Sequence, residues 1–157
     1  MTRYLGIDPG TTRIGYGIIE EHRGSFQSLA WGIIENPGAQ ASEDKAATAA
    51  NLRALIEEYK PDSAGVERLF FMNNQRTVMS VSEMRGVIML VLQQMGIPVL
   101  EFTPQQVKLT VCGHGKATKR QMQDMVQMLL RIKVKVSPDD AADGLALALC
   151  CATAKSY

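Results

Sequence analysis

Tyr4-Leu5-Gly6-Ile7-Asp8, stopped by Pro9-Gly10 and followed by Ile14-Gly15-Tyr16-Gly17-Ile18-Ile19-Glu20, is the stretch whose reading decides the fold. Apolar residues of strand propensity are cut by a turn signal and then resume, which predicts strands over 4–8 and 14–20. Ser25–Glu35 reads as a third strand, so the chain opens as an antiparallel meander. Asn36-Pro37-Gly38 breaks it. A helix is expected from Ser42 to about Tyr59, with Ser42 as N-cap and Glu43 and Asp44 in its first turn. Ser63–Glu67 is a short apolar strand, and Val99–Phe102 is a fifth. Between them lies a long helix, about Gln75 to Met95. Val81, Met84, Ile88, Val91 and Met95 form one stripe, while Val78, Met79, Val87, Met89, Leu90 and Leu92 spill onto other faces. A helix apolar on several sides is either deeply buried or shared with a partner. Thr103-Pro104-Gln105-Gln106, Thr118-Lys119-Arg120-Gln121 and Ser137-Pro138-Asp139-Asp140 carry capping-box signals for three more helices, the last running to about Ala154. The order is that of an α/β chain: a five-stranded mixed sheet flanked by helices.

The 157 residues suit one domain spanning 1–157. Hydrophobic residues at 46% and charged residues at 21% exclude a disordered or fibrous chain. The longest apolar runs, Val87–Leu92 and Leu145–Ala152, fall far short of the ~18 residues of a membrane span. The opening residues carry no signal-peptide core, and the three cysteines, Cys112, Cys150 and Cys151, have no metal spacing. A cytoplasmic chain with reduced thiols is expected. The net charge of +1 hides an asymmetry. Pro104–Lys135 holds seven Lys and Arg against Asp124 alone, leaving 10 basic and 15 acidic residues elsewhere. Such local basicity makes a phosphate-binding face on a nearly neutral protein.

The acids that sit awkwardly carry the chemistry. Asp8 ends an apolar strand before a turn, and Glu67 ends another, the places where α/β sheets put functional groups. Asp139 and Asp140 lie in the first turn of the last helix, where the helix dipole favours acids, so capping accounts for both. Asp143 shares a face with Asp140 three residues earlier, and like charges at that spacing repel. No Lys or Arg lies between Ser137 and Leu149, so a hard divalent cation is the better counter-charge. Small Ala141 and Ala142 let this helix lie close to the sheet and bring the acids together.

Ile7-Asp8-Pro9-Gly10 with Gly15-Tyr16-Gly17, Val66-Glu67-Arg68-Leu69-Phe70, and Asp140-Ala141-Ala142-Asp143-Gly144-Leu145-Ala146 together resemble the RuvC Holliday-junction endonucleases, in order and spacing over essentially the whole chain. The resemblance implies a ribonuclease-H-like fold and Mg²⁺-dependent hydrolysis at paired symmetric positions of a four-way junction, leaving 5′-phosphate and 3′-hydroxyl ends. It places two Mg²⁺ ions, for which Mn²⁺ may substitute, on Asp8, Glu67, Asp140 and Asp143. Gly144 stands where the family usually has Ala, which is expected to loosen the helix slightly. Lys108 and Lys119 match basic positions that the family uses for DNA, with Lys116 and Arg120 beside them. Phe70 matches the family's base-stacking position. His114 is read as a loop residue. A homodimer and the RuvA–RuvB branch-migration complex are the implied partners.

Three other readings compete. Gly6-Ile7-Asp8-Pro9-Gly10-Thr11-Thr12 also resembles the phosphate-1 loop of actin-like ATPases and sugar kinases, but those need two such domains and leave Asp140 and Asp143 unexplained. A YqgF-type ribonuclease shares a similar opening strand. A non-catalytic junction-binding module would tolerate Asp8→Asn.

Overall fold

In a computed structural model, alternation along the first strands decides what each face of the sheet carries. It describes residues 1–10, 13–35, 41–68 and 75–155, with the side chains of 41–44, 75–77 and 155 left aside. β1 (Thr2–Asp8), β2 (Arg13–His22) and β3 (Ser25–Glu35) form the meander; α1 (Ala41–Tyr59), β4 (Ser63–Glu67), α2 (Gln75–Gln94) and β5 (Val99–Phe102) follow. α3 (Pro104–Cys112), α4 (Lys119–Leu129) and α5 (Asp139–Lys155) complete the chain. The five strands lie in the order β3-β2-β1-β4-β5, with β1–β2 and β2–β3 antiparallel and β1–β4 and β4–β5 parallel. The expected mixed sheet is therefore present.

Two apolar layers sandwich it. On one face Leu5, Ile7, Ile14, Ile18, Ala64 and Val66 pack with α1 and α2 through Leu52, Ile56, Ile88 and Leu92. On the other, α5 lies across β1 and β2, with α3 and α4 outside it. Every residue from Gly144 to Ala152 is buried, so α5 is a central helix and not an amphipathic surface one.

Local signals set most boundaries. Thr103 and Thr118 each make a complete capping box: the threonine Oγ1 accepts from the N3 backbone N–H, and the N3 glutamine accepts from the threonine N–H. Two capping expectations need correction. α1 begins at Ala41, which puts Ser42 inside its first turn. The Ala141 N–H donates to the Pro138 carbonyl at 3.0 Å, so the first turn of α5 closes on Pro138 and Ser137 lies one residue before it. On α2, Met84, Ile88 and Val91 are buried as expected, and so is Leu92, which the sequence put on another face but which packs into the same core cluster, whereas Met79 is 64% and Leu90 52% exposed. The second apolar face of that helix thus remains open in the single chain.

Candidate active site

The register of β1 with its neighbours assembles the site. Asp8 pairs with Gly15 on β2, and Ile7 pairs with Val66 on β4. One residue beyond that last pair, Asp8 and Glu67 therefore stand side by side at the ends of parallel strands, on the same face. Two positions back on that face, Gly6 pairs with both Gly17 and Gly65. The surface under α5 is therefore a row of glycines that ends in two acids. The close approach requires those glycines. A Cβ at Gly15 would lie 1.8 Å from the Asp140 carbonyl oxygen, and one at Gly144 would lie 2.5 Å from the Tyr16 backbone. Gly144 does not merely loosen the helix, as the sequence suggests; it lets α5 rest directly on β2. Buried Ala141 and Ala142 act as expected from the helix side.

This contact carries the α5 acids onto the strand acids. One carboxylate oxygen each of Asp8, Asp140 and Asp143 lies within 4.8 Å of the others, and all three residues are partly buried. Asp8, Glu67 and Asp143 line a cleft of 260 Å³ whose apolar wall is Val107, Met122 and Leu147. Glu67 thus joins the site from the β4 side, outside the tight trio. Arg68 does not neutralise it: that guanidinium turns to Glu101 on β5, at 3.9 Å, where Arg85 also pairs.

Crowding and burial penalise the ionised carboxylates. Burial, reinforced by the Glu67 and Asp143 charges, pushes the Asp8 carboxyl up to about 8. Burial also raises Glu67, partly offset by its hydrogen bond with Asp8. Asp143 rises to about 6: burial leads, Lys119 opposes it, and Glu67 and Asp140 add to it. Such a set of hard oxygen donors, repelling one another in a partly dry cleft, suits a divalent cation.

The basic residues divide into two groups. Lys108 and Lys119 line the cleft itself. Arg120 lines a neighbouring hollow, and Lys116 is exposed on the connection between α3 and α4. His114 is exposed on that connection, as a loop residue should be. The base-stacking expectation for Phe70 lies outside the described residues. Sequence reading missed the role of Lys119 as a nearby counter-charge, because α4 meets α5 only in the folded chain. It also missed where Asp139 points: its carboxylate accepts from Gln123 Nε2 at 2.8 Å and pairs with Lys119 Nζ at 3.3 Å, both on α4. The glycine row was legible as alternation in Gly6-Ile7-Asp8, Gly15-Tyr16-Gly17 and Gly65-Val66-Glu67.

Comparison with known proteins places this architecture. The family model described as crossover junction endodeoxyribonuclease RuvC matches residues 4–151. The crossover junction endodeoxyribonuclease RuvC of Roseiflexus sp. (strain RS-1) is 45% identical over 150 residues, covering 95% of this chain and 89% of the relative. The Thermus thermophilus RuvC structure superposes with a TM-score of 0.90 at 29% identity, covering 99% of this chain and 96% of the other. T. thermophilus RuvC in complex with a Holliday junction substrate gives 0.92 at 28% identity, with coverage of 99% and 95%.

Proposed function

This chain belongs to the RuvC family of crossover junction endodeoxyribonucleases, and from that premise we infer that it resolves four-way DNA junctions in recombination and repair by metal-dependent hydrolysis of phosphodiester bonds. The observation that carries the reading is the meeting of Asp8, Asp140 and Asp143 within 4.8 Å. We propose Asp8, Glu67, Asp140 and Asp143 as the catalytic and metal-holding acids, with Mg²⁺ as the ion, two per site, and Mn²⁺ as a substitute. These four carboxylates would hold divalent ions whose positive charge would activate water and stabilise the departing 3′-oxygen, leaving 5′-phosphate and 3′-hydroxyl ends.

The remaining residues bind and orient. Lys108 and Lys119, at the mouth of the acidic cleft, hold the backbone phosphates of the strand to be cut. Arg120 and Lys116 extend that basic track along the outside of α4, a sequence-independent grip that weakens as salt rises. Phe70 is proposed to stack on an unpaired base near the crossover. The open face of α2, with Met79 and Leu90 exposed, supports a homodimer, which sets two identical sites on a two-fold substrate. The RuvA–RuvB motor is proposed as partner and the cytoplasm as location; among the described residues no helix is long and apolar enough to cross a membrane.

The deciding experiment incubates the protein with a labelled mobile four-way junction, with and without Mg²⁺, and maps the nicks. Paired nicks at symmetric positions on opposed strands, lost in Asp8→Asn while binding persists, are expected. Cutting of matched RNA but not of the junction would overturn the reading in favour of a ribonuclease. Unimpaired function of Asp8→Asn would leave only a binding module.

A further inference from the structure

Two concavities meet at Lys119, and the consequence for the metal-holding acids rests on the nuclease reading above. Lys119 lines the carboxylate cleft and also a hollow of 640 Å³ on the outside of α4, where Gln123, Lys135 and Asp139 lie. Its ammonium has acidic destinations on both sides. On the hollow side Asp139 Oδ2 is 3.3 Å away, and Gln123 Nε2 fixes the other oxygen of that carboxylate at 2.8 Å. On the cleft side Asp143 and Asp140 also attract it. Consecutive helix residues diverge by about 100° around the axis. Asp139 can therefore face the hollow while Asp140, its neighbour, turns toward Asp8 and Asp143.

An ammonium that moved inward would neutralise the carboxylates that a divalent ion needs. We propose that Asp139 is a positioning residue: it holds Lys119 Nζ at the rim, off Asp140 and Asp143, so that these acids stay open to a divalent cation and the ammonium stays where a DNA phosphate passes. The ion pair is exposed, with side-chain accessibilities of 60% for Lys119 and 54% for Asp139. Its effect is accordingly modest: exposed pairs of this kind correspond to about a 1.4- to 5-fold change in an equilibrium.

Mn²⁺ binding to the DNA-free protein, followed by electron paramagnetic resonance of the free ion, tests this without reading activity. Asp139→Asn is expected to weaken Mn²⁺ binding by about two- to five-fold. In a Lys119→Gln background the same substitution is expected to change it by less than about 1.5-fold, because no ammonium remains to be released inward. Asp139→Glu, which keeps the partner for Lys119, should bind as the unmodified protein does. An equal loss in both backgrounds would mean that Asp139 acts only as one more negative charge, and the inference would be wrong. No loss in either background would also overturn it. The underlying metal-site reading fails separately, if Asp8→Asn binds Mn²⁺ as tightly as the unmodified chain.

Discussion

Asp8 shows how a single side chain registers its surroundings. Its carboxyl titrates near 8 because burial disfavours the charge and Glu67 and Asp143 repel it. In the metal-free protein the folded chain keeps a proton that the unfolded chain, with its carboxyl near 4, gives up. The stability associated with that proton is present below about pH 4 and is lost as pH rises toward 8. Asp143, raised to about 6, adds a loss of the same sign within that window. The melting temperature of the metal-free protein should therefore fall between pH 5.5 and 8.5, and Asp8→Asn should flatten the decline. At pH 8.5 the variant is expected to melt about 2–4 °C higher, what ~1 kcal/mol amounts to in a chain of this size. Calorimetry across that range gives the answer; identical pH slopes for the two proteins would refute the burial argument. Lys119 supplies the second residue-scale prediction. Burial alone would pull its ammonium down, but Asp139, Asp143 and Asp140 outweigh that and raise it. Lys119→Ala should weaken junction binding and lower the log–log salt slope by about 0.9. Titrations at several salt concentrations that leave the slope unchanged would remove Lys119 from the phosphate track.

At the scale of elements, the contact between α5 and the strands matters most. α5 brings two acids to the sheet because glycines stand beneath it, and the tightest point is Gly15 under Asp140. A methyl group there meets backbone, which cannot swing aside as a side chain can. Gly15→Ala should displace the start of α5 and with it both carboxylates. A shift of about 1 Å in a reacting geometry costs on the order of 100-fold in rate. We expect cleavage to drop by about that factor, while junction affinity, proposed to rest on the lysines of α3 and α4, changes less than threefold. Near-normal turnover of the variant would show that α5 has slack. The capping boxes of α3 and α4 illustrate the opposite case, in which a boundary is settled locally. Thr103 and Thr118 satisfy the N3 backbone donors within four residues of sequence, and both helices begin where those residues predict.

For the whole molecule, the question is what covers α2. One stripe of that helix is buried against α1 and the sheet, yet Met79 and Leu90 face outward. Between them lies Gly86, and apart from its own stretch of helix no atom of the described residues lies within 4 Å of where a Cβ would stand. A stripe of this kind lets a second helix approach closely. Leu90→Glu would place charges in the proposed interface and is expected to give a monomer by sedimentation at micromolar concentration. Paired cutting should then give way to slow, single nicks. A dimer that survives this substitution would mean that the two-fold contact lies elsewhere.

Much of this was legible in the residues alone. β3, β4 and β5 begin and end where the apolar runs and breakers put them, since turn and strand preferences act over a few neighbouring positions. That Asp8 and the α5 acids Asp140 and Asp143 would meet was also readable, because a carboxylate at the end of an apolar strand, or a turn into a buried helix, stands out against its neighbours. The start of α5 was placed with less success: Asp139 was read as a cap for its own helix but reaches across to α4. Only tertiary structure decided that, and likewise the standing of Lys119 as counter-charge and the opening of one α2 face. Propensity and capping are local, whereas a charge acquires its partner, and an apolar face its cover, from segments that only folding brings within a few ångströms.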